Sequence, residues 1–479
     1  MIFLNLFLLL CFTCRLGHGV GLHGFHFRGL EEPRSLNKAN PENITESWIV
    51  QYVDHFNPRD NRTWSMRYLE NSRFFKKNGP ILIMIGGEWA INRGFLEAGL
   101  MYEIASSHNA QMYYTEHRFY GKSKPTEDTS SENLQYLSVD QALEDIAYFI
   151  KTKKRQERFK NSTVIVFGGS YAGSVATWAR LKYPHLIQGA LASSAPVLAK
   201  ADFYEYYEVV TESLRKYSQK CVDEIEAAFV EVEELLITEG GPEKLKKWFN
   251  LCDVPVARYF DDEGHLENLL AEEFASIVQY NKVENGQTKI AACCKNMTAS
   301  YLGSPLQRLA HLVSSKDKCL KNNYNKFVKL YQNHTWDAQP DIMRQWYYQT
   351  CTEYGYYQTS NSKNSIFGTL FPLRYFTDIC RDLYGNYYDR IFLNTRIERT
   401  NIMYGGIRPD LRNVIFTNGD VDPWHALSVL QDLNTHSPAI LIKGSSHCRD
   451  LYSDSDTDVE DLIQARAKVR KIIGTWISS

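Results

Sequence analysis

One block constrains this chain more than any other: Val164-Ile165-Val166-Phe167-Gly168-Gly169-Ser170-Tyr171-Ala172-Gly173. Its apolar start, rich in β-branched residues, reads as a strand buried on both faces. The glycines then permit a tight turn, and residues 173–183 carry helical spacing until Pro184 stops them. A strand that turns sharply into a helix lays that helix back over its own sheet, which makes a βαβ unit. The same alternation surrounds the block. Residues 80–87, 111–115 and 189–192 read as strands, and residues 138–150 as a helix with Val139, Leu143, Ile146, Phe149 and Ile150 on one face. Ahead of them, 48–53 and 64–68 alternate like edge strands of an antiparallel hairpin. The pattern fades near residue 200, where 203–237 reads as one long helical stretch. Strand signals return at 413–417 and 439–442, and 459–476 closes the chain as an amphipathic helix. A mostly parallel α/β sheet accounts for this order.

The turn at residue 170 has the form of a nucleophile elbow, in which small neighbours let a strained serine expose its hydroxyl. The pattern Gly-x-Ser-x-Gly is missed at its last position, where Ala172 stands and Gly173 follows. A hydroxyl is a poor nucleophile near neutral pH, so Ser170 requires a general base, and that base an orienting carboxylate. In this fold they follow in the order Ser, Asp or Glu, His. Strand 413–417 opens into a loop carrying Asp422, and strand 439–442 into one carrying His447. Both loops leave strand C-termini, where sites in parallel sheets gather. His425 follows Asp422 too closely to swing round, so His447 is the expected base. The backbone N–H groups of Tyr171 and Gly87 are the expected oxyanion donors. Glu88, in the same loop as Gly87, and Trp424, after Asp422, are expected to contact substrate, Glu88 through an amino group. The expected fold class is therefore α/β, with an α/β-hydrolase core in two parts, 46–200 and 396–479. A helical, disulfide-stapled cap over 201–395 interrupts it.

The rest of the sequence says where such a protein works. Residues 2–12 are almost uninterruptedly apolar and lead to Gly17-His18-Gly19, the form of a signal peptide spanning 1–19. The run is about half the length of a membrane span, which needs about 20 apolar residues, so stable membrane insertion is not expected. Residues 20–45 read as a flexible leader or propeptide. Ten cysteines are present, of which Cys11 and Cys14 leave with the signal; the other eight suit up to four disulfides of undetermined pairing, with Cys293 and Cys294 taking different partners. Sequons stand at Asn43, Asn61, Asn161, Asn296 and Asn333. Together these fit a secreted or lysosomal glycoprotein. A formal net charge of −2 lacks the basic excess of a nucleic-acid binder. The Cys-x-x-Cys spacing of Cys11 and Cys14 leaves with the signal, so no metal or organic cofactor is expected. A homodimer is left open.

Several blocks are similar to a known family. They are Glu116-His117-Arg118-Phe119-Tyr120-Gly121-Lys122-Ser123, the elbow, Trp178-Ala179-Arg180-Leu181-Lys182-Tyr183-Pro184-His185, Ser193-Ser194-Ala195-Pro196-Val197, the stretch from Thr417 to His425, and Ser446-His447-Cys448. In this order they resemble the S28 serine peptidases, the group of lysosomal Pro-X carboxypeptidase, dipeptidyl peptidase 2 and thymus-specific serine protease. Ala172 and the 178–182 helix look closer to the thymus-specific branch. The resemblance implies the same triad, a capped α/β-hydrolase, peptide substrates, and an exopeptidase that favours prolyl bonds in carboxypeptidase or dipeptidyl peptidase mode. Two rival functions remain: a lipase or esterase with this triad, and a catalytically silent binding glycoprotein on the same scaffold, against which the intact Ser170, Asp422 and His447 argue.

Overall fold

The computed structural model describes residues 21–22, 25–26, 30–33, 44–256, 260–314, 318–336 and 342–478. The signal peptide, most of the leader and the Asn43 sequon lie outside the described residues. Eight strands form one sheet: β1 (Ile44–Tyr52), β2 (Thr63–Asn71), β3 (Ile81–Ile85), β4 (Gln111–Thr115), β5 (Val164–Gly169), β6 (Gly189–Ser193), β7 (Val414–Gly419) and β8 (Ala439–Ile442). Their spatial order is β8-β7-β6-β5-β3-β4-β2-β1. The pairs β1–β2 and β2–β4 are antiparallel and the other five are parallel. This is the mostly parallel α/β-hydrolase sheet. The hairpin read at 48–53 and 64–68 is present, but only its first strand is an edge, because β2 also pairs with β4.

Every residue of β5 is buried, as a central strand covered by helices on both faces requires. Each of its four large apolar side chains contributes about 1.5–3 kcal/mol by leaving water. Helix α1 (Val139–Lys154) begins where the Ser138 hydroxyl accepts from the Gln141 N–H, and its last turn carries Lys151, Lys153 and Lys154, as suits a helix C-terminus. Lys153 is not solvated, however; it is buried and donates to the Tyr68 hydroxyl at 2.8 Å. Helix α2 (Tyr171–Lys182) runs back from the elbow against β5 and β6.

Between β6 and β7 the regular structure is mostly helical. The stretch read as one long helix is two, α3 (Glu205–Tyr217) and α4 (Gln219–Ile237), broken at Ser218. Ser218 is extended (φ −160°, ψ 115°) and its hydroxyl caps the Cys221 N–H, so the residue that ends one helix starts the next. Further on lie α5 (Phe260–Gln279), α6 (Met343–Gln349) and α7 (Arg390–Tyr404), and α8 (Glu460–Ser478) closes the chain. Three disulfides form, Cys221–Cys294, Cys252–Cys319 and Cys351–Cys380, all among these helices. The fourth does not: Cys293 and Cys448 are free and buried. Cys294 pairs with α4, leaving its neighbour Cys293 inside the helical packing, while Cys448 faces the sheet with its sulfur 3.7 Å from the Ser193 carbonyl. Among the described residues no helix is long and apolar enough to cross a membrane.

One buried ion pair ties the loop after β4 to helix α1. Arg118, fully buried after β4, donates from Nε to Asp145 Oδ2 at 2.6 Å and from Nη2 to Oδ1 at 2.8 Å. It also donates to the carbonyls of Val53 and Tyr136, and His55 shares the Asp145 carboxylate at 2.8 Å. Breaking such a pair from one side strands a charge in the core. Asp145→Ala is expected to lose about 3–5 kcal/mol of stability, measured by urea unfolding; a loss under about 1 kcal/mol contradicts this role.

Candidate active site

The parallel register brings the C-terminal ends of β3, β5, β7 and β8 to the same side of the sheet, and the expected residues leave from those ends. Ser170 stands between β5 and α2 at φ 58° and ψ −133°, a backbone conformation that costs an L-residue free energy. Small neighbours make it accessible: a methyl group on Gly168 would lie 2.0 Å from the Ala172 carbonyl oxygen. Ala172 itself is fully buried, so the departure from the glycine pattern fits without strain visible at that position. The Ser170 N–H donates to the Ser193 carbonyl at 2.9 Å, tying the elbow to β6.

Asp422 and His447 meet. The imidazole Nδ1 lies 2.8 Å from Asp422 Oδ2, and both side chains are buried. An ionised carboxylate only accepts, so Nδ1 carries the hydrogen and Nε2 is left as the basic nitrogen. The other oxygen, Oδ1, accepts the Trp424 N–H at 3.1 Å and caps the short helix Pro423–Leu427, which fixes the carboxylate plane. The two loops approach because Gly419 has no side chain: a methyl there would sit 2.1 Å from the Ser445 carbonyl. The base loop also reaches the elbow. A methyl on Gly169 would lie 3.1 Å from Cys448 Sγ, so the residue before Ser170 abuts the residue after His447. Ser194 Oγ accepts the Cys448 N–H at 2.9 Å, and Asp450 accepts from the Ser193 and Thr417 hydroxyls at 2.5 and 2.7 Å.

The remaining expected residues fall as follows. Tyr171 opens α2, where its N–H has no intrahelical acceptor. Gly87 and Glu88 follow β3, the neighbour of β5, and both are buried. Glu88 has one carboxylate oxygen, Oε2, without a hydrogen-bond partner among the described residues. Burial raises its pKa to about 7 against the opposing pull of His447. Trp424 is fully buried; its indole donates to Gln279 Oε1 at 2.9 Å and packs against Phe203, Tyr206 and Tyr356. Of the sequons, Asn61, Asn161 and Asn333 are exposed and Asn296 is half-buried.

Residues that no local sequence signal marks also reach the site. At the C-terminal end of α5, the Gln279 carbonyl accepts the His447 N–H at 3.0 Å, and the Tyr280 ring meets the imidazole edge-on at 5.9 Å. They stand some 170 residues from His447, in helices whose spacing speaks only of packing. His117 and Gln349 come to the Tyr171 phenol; of these, His117 lay in a block already singled out.

Burial opposes a charge on the His447 ring, but the Asp422 carboxylate, aided by the neighbouring Cys448 sulfur, outweighs it and holds the imidazole pKa well above 6.5. The sign follows: this pairing stabilises the fold below the ordinary histidine range, and the contribution is lost as pH rises through the raised value. Histidine NMR titration of Asp422→Asn is expected to show the His447 pKa below that of the unaltered protein. An unchanged value would deny the coupling.

The chain is also similar to known proteins. Residues 51–469 match the family described as serine carboxypeptidase S28. The chain is 34% identical over 456 residues to the thymus-specific serine protease of Mus musculus, covering 90% of this chain and 87% of that protein. It is 29% identical over 467 residues to the lysosomal Pro-X carboxypeptidase of Homo sapiens, covering 93% and 90%. Matched across most of its length, the chain belongs to the S28 family and is a serine peptidase.

Proposed function

We propose that the protein is an exopeptidase with a preference for prolyl bonds, in carboxypeptidase or dipeptidyl peptidase mode, acting by acyl transfer through Ser170. The observation that carries the triad is the 2.8 Å contact between His447 Nδ1 and Asp422, because it points the free imidazole nitrogen away from the carboxylate as a base. Ser170 Oγ gives its proton to Nε2 and attacks the scissile carbonyl carbon; the bond to the leaving amine breaks as the imidazolium returns the proton. Water then hydrolyses the ester, with His447 again taking and giving the proton. The N–H groups of Tyr171 and Gly87 face the developing oxyanion.

Burial of Ser170, Asp422 and His447 supports an exopeptidase, since a closed site receives a chain end more readily than the middle of a folded substrate. Residues 201–395 serve as the cap that closes it, between core segments 46–200 and 396–479. The prolyl preference is supported by the name of the Pro-X carboxypeptidase relative, as is a lysosomal or secreted location after removal of the 1–19 signal. Trp424 forms an aromatic wall of the substrate pocket, glycans are carried at the sequons, and residues 20–45 serve as a leader.

Replacing Ser170 with Ala is expected to lower turnover of a prolyl peptide by about a thousandfold or more and to abolish labelling by a fluorophosphonate. Retention of a tenth of the activity removes Ser170 from the mechanism. Glu88 contacts a substrate amino group in this reading, and it is ionised only above its pKa of about 7. Glu88→Gln is therefore expected to raise KM for peptides with a free amino group at pH 8, with little effect at pH 5 or on N-acetylated peptides. Equal effects on free and acetylated peptides would reject that contact.

A further inference from the structure

The phenol of Tyr171 uses every hydrogen-bonding position it has. Its ring is fully buried directly after the nucleophile. His117 Nε2 lies 3.0 Å from its oxygen, and His117 Nδ1 lies 2.7 Å from the Arg118 carbonyl. A carbonyl only accepts, so Nδ1 holds the hydrogen of the imidazole, which burial keeps neutral by lowering its pKa to about 4. Nε2 is then a bare acceptor, and the Tyr171 hydroxyl donates to it. The two lone pairs of the phenol oxygen accept from Gln349 Nε2 at 2.8 Å and the Tyr354 hydroxyl at 3.3 Å. The Gln349 carbonyl oxygen in turn accepts from the Tyr120 hydroxyl.

The partners come from two parts of the chain. His117 and Tyr120 follow β4 of the sheet, whereas Gln349 and Tyr354 belong to the helices between β6 and β7. Trp346 and Tyr354 also press on the Tyr171 ring, with centroids 5.6 and 5.5 Å away. The joint between sheet and helices thus falls on the residue whose N–H is the proposed oxyanion donor. A rigid phenol holds the peptide plane joining Ser170 to Tyr171, and oxyanion stabilisation depends on a donor fixed before the charge develops.

We propose that the Tyr171 hydroxyl is a clamp by which the helical region sets the oxyanion donor, with His117 and Gln349 as its positioning residues. The proposal rests on the Ser170 nucleophile. Tyr171→Phe, which removes one oxygen and keeps the ring, is expected to lower kcat about tenfold or more while KM stays within twofold. Inhibition by a peptide boronic acid, which forms a tetrahedral adduct on the serine, is expected to weaken in the same proportion. A purely structural role would not move these two together. His117→Ala and Gln349→Leu are expected to act like Tyr171→Phe, and His117→Gln, which restores an acceptor, to recover most of the loss. If Tyr171→Phe does not fold, the His117 and Gln349 variants carry the same test. Wild-type kcat and boronate affinity in the folded variants overturn the clamp, as does a loss confined to KM. If Ser170→Ala retains turnover, the nucleophile assignment fails instead, so the two failures are distinguishable.

Discussion

A serine held at φ 58° and ψ −133° leaves that conformation unless its surroundings forbid it, because the strain costs about 1–3 kcal/mol. Much of this molecule's core works against that relaxation. The strand before Ser170 is central and hydrogen-bonded on both sides, so it cannot rotate to release the turn. The helix after it starts at once, with the Gly173 and Ser174 N–H groups donating to the Ser170 carbonyl. The serine's own N–H is spent on Ser193. Both ends are fixed, and the hydroxyl is left at the tip of the bend. The same constraint explains the small residues at 168, 169 and 172: side chains at the glycines would strike the helix start or Cys448, and the strain would have no room to exist.

The charges around this bend are dominated by carboxylates. Glu88 and Glu353 are buried with pKa values raised to about 7, and Asp450 is raised by the same burial. Buried arginines elsewhere are already committed, Arg67 to Glu116, Arg118 to Asp145 and Arg466 to Asp458. His447 is the cation that Glu88 faces, whereas Arg396 acts on Glu353 and Arg466 on Asp450, and at the site two effects oppose each other. Acid neutralises Glu88 and Glu353, which lowers the cost of their burial, but it also keeps His447 protonated and unable to accept the serine proton.

Residues whose roles are local were legible in the sequence. The elbow, the acid loop and the base loop each follow an apolar strand, and a strand that ends in glycine or an Asx turn announces itself within ten residues. The sheet was readable for the same reason, with errors where neighbours in space decide the matter: β2 looked like an edge because its β4 partner is remote in sequence. Ser218 looked like any polar residue in a helix, and only its extended backbone shows it to be a double boundary. Cysteine number suggested four disulfides, but pairing depends on which sulfur atoms packing brings together, and it left Cys293 and Cys448 apart. Gln279, Tyr280 and Gln349 were illegible. Their spacing reports only that a helix face is buried, not that it is buried against an imidazole or a phenol.

That blindness has a physical source, which also divides the labour in the molecule. The sheet fixes where the proposed nucleophile, acid and base stand, using short-range turn chemistry. The helices between β6 and β7 determine what surrounds them, through contacts that span more than a hundred residues. The three disulfides lie within the segment between β6 and β7 and none joins it to the sheet, so they stiffen the covering without attaching it. At the site, attachment falls to hydrogen bonds and ring contacts: Gln279 to His447 and Trp424, and Gln349 and Tyr354 to Tyr171. Each of these ends on a residue of the proposed triad or within two positions of one. A shift of the covering would therefore be felt first at the groups that do the chemistry, while the sheet beneath them stayed where its strand register holds it.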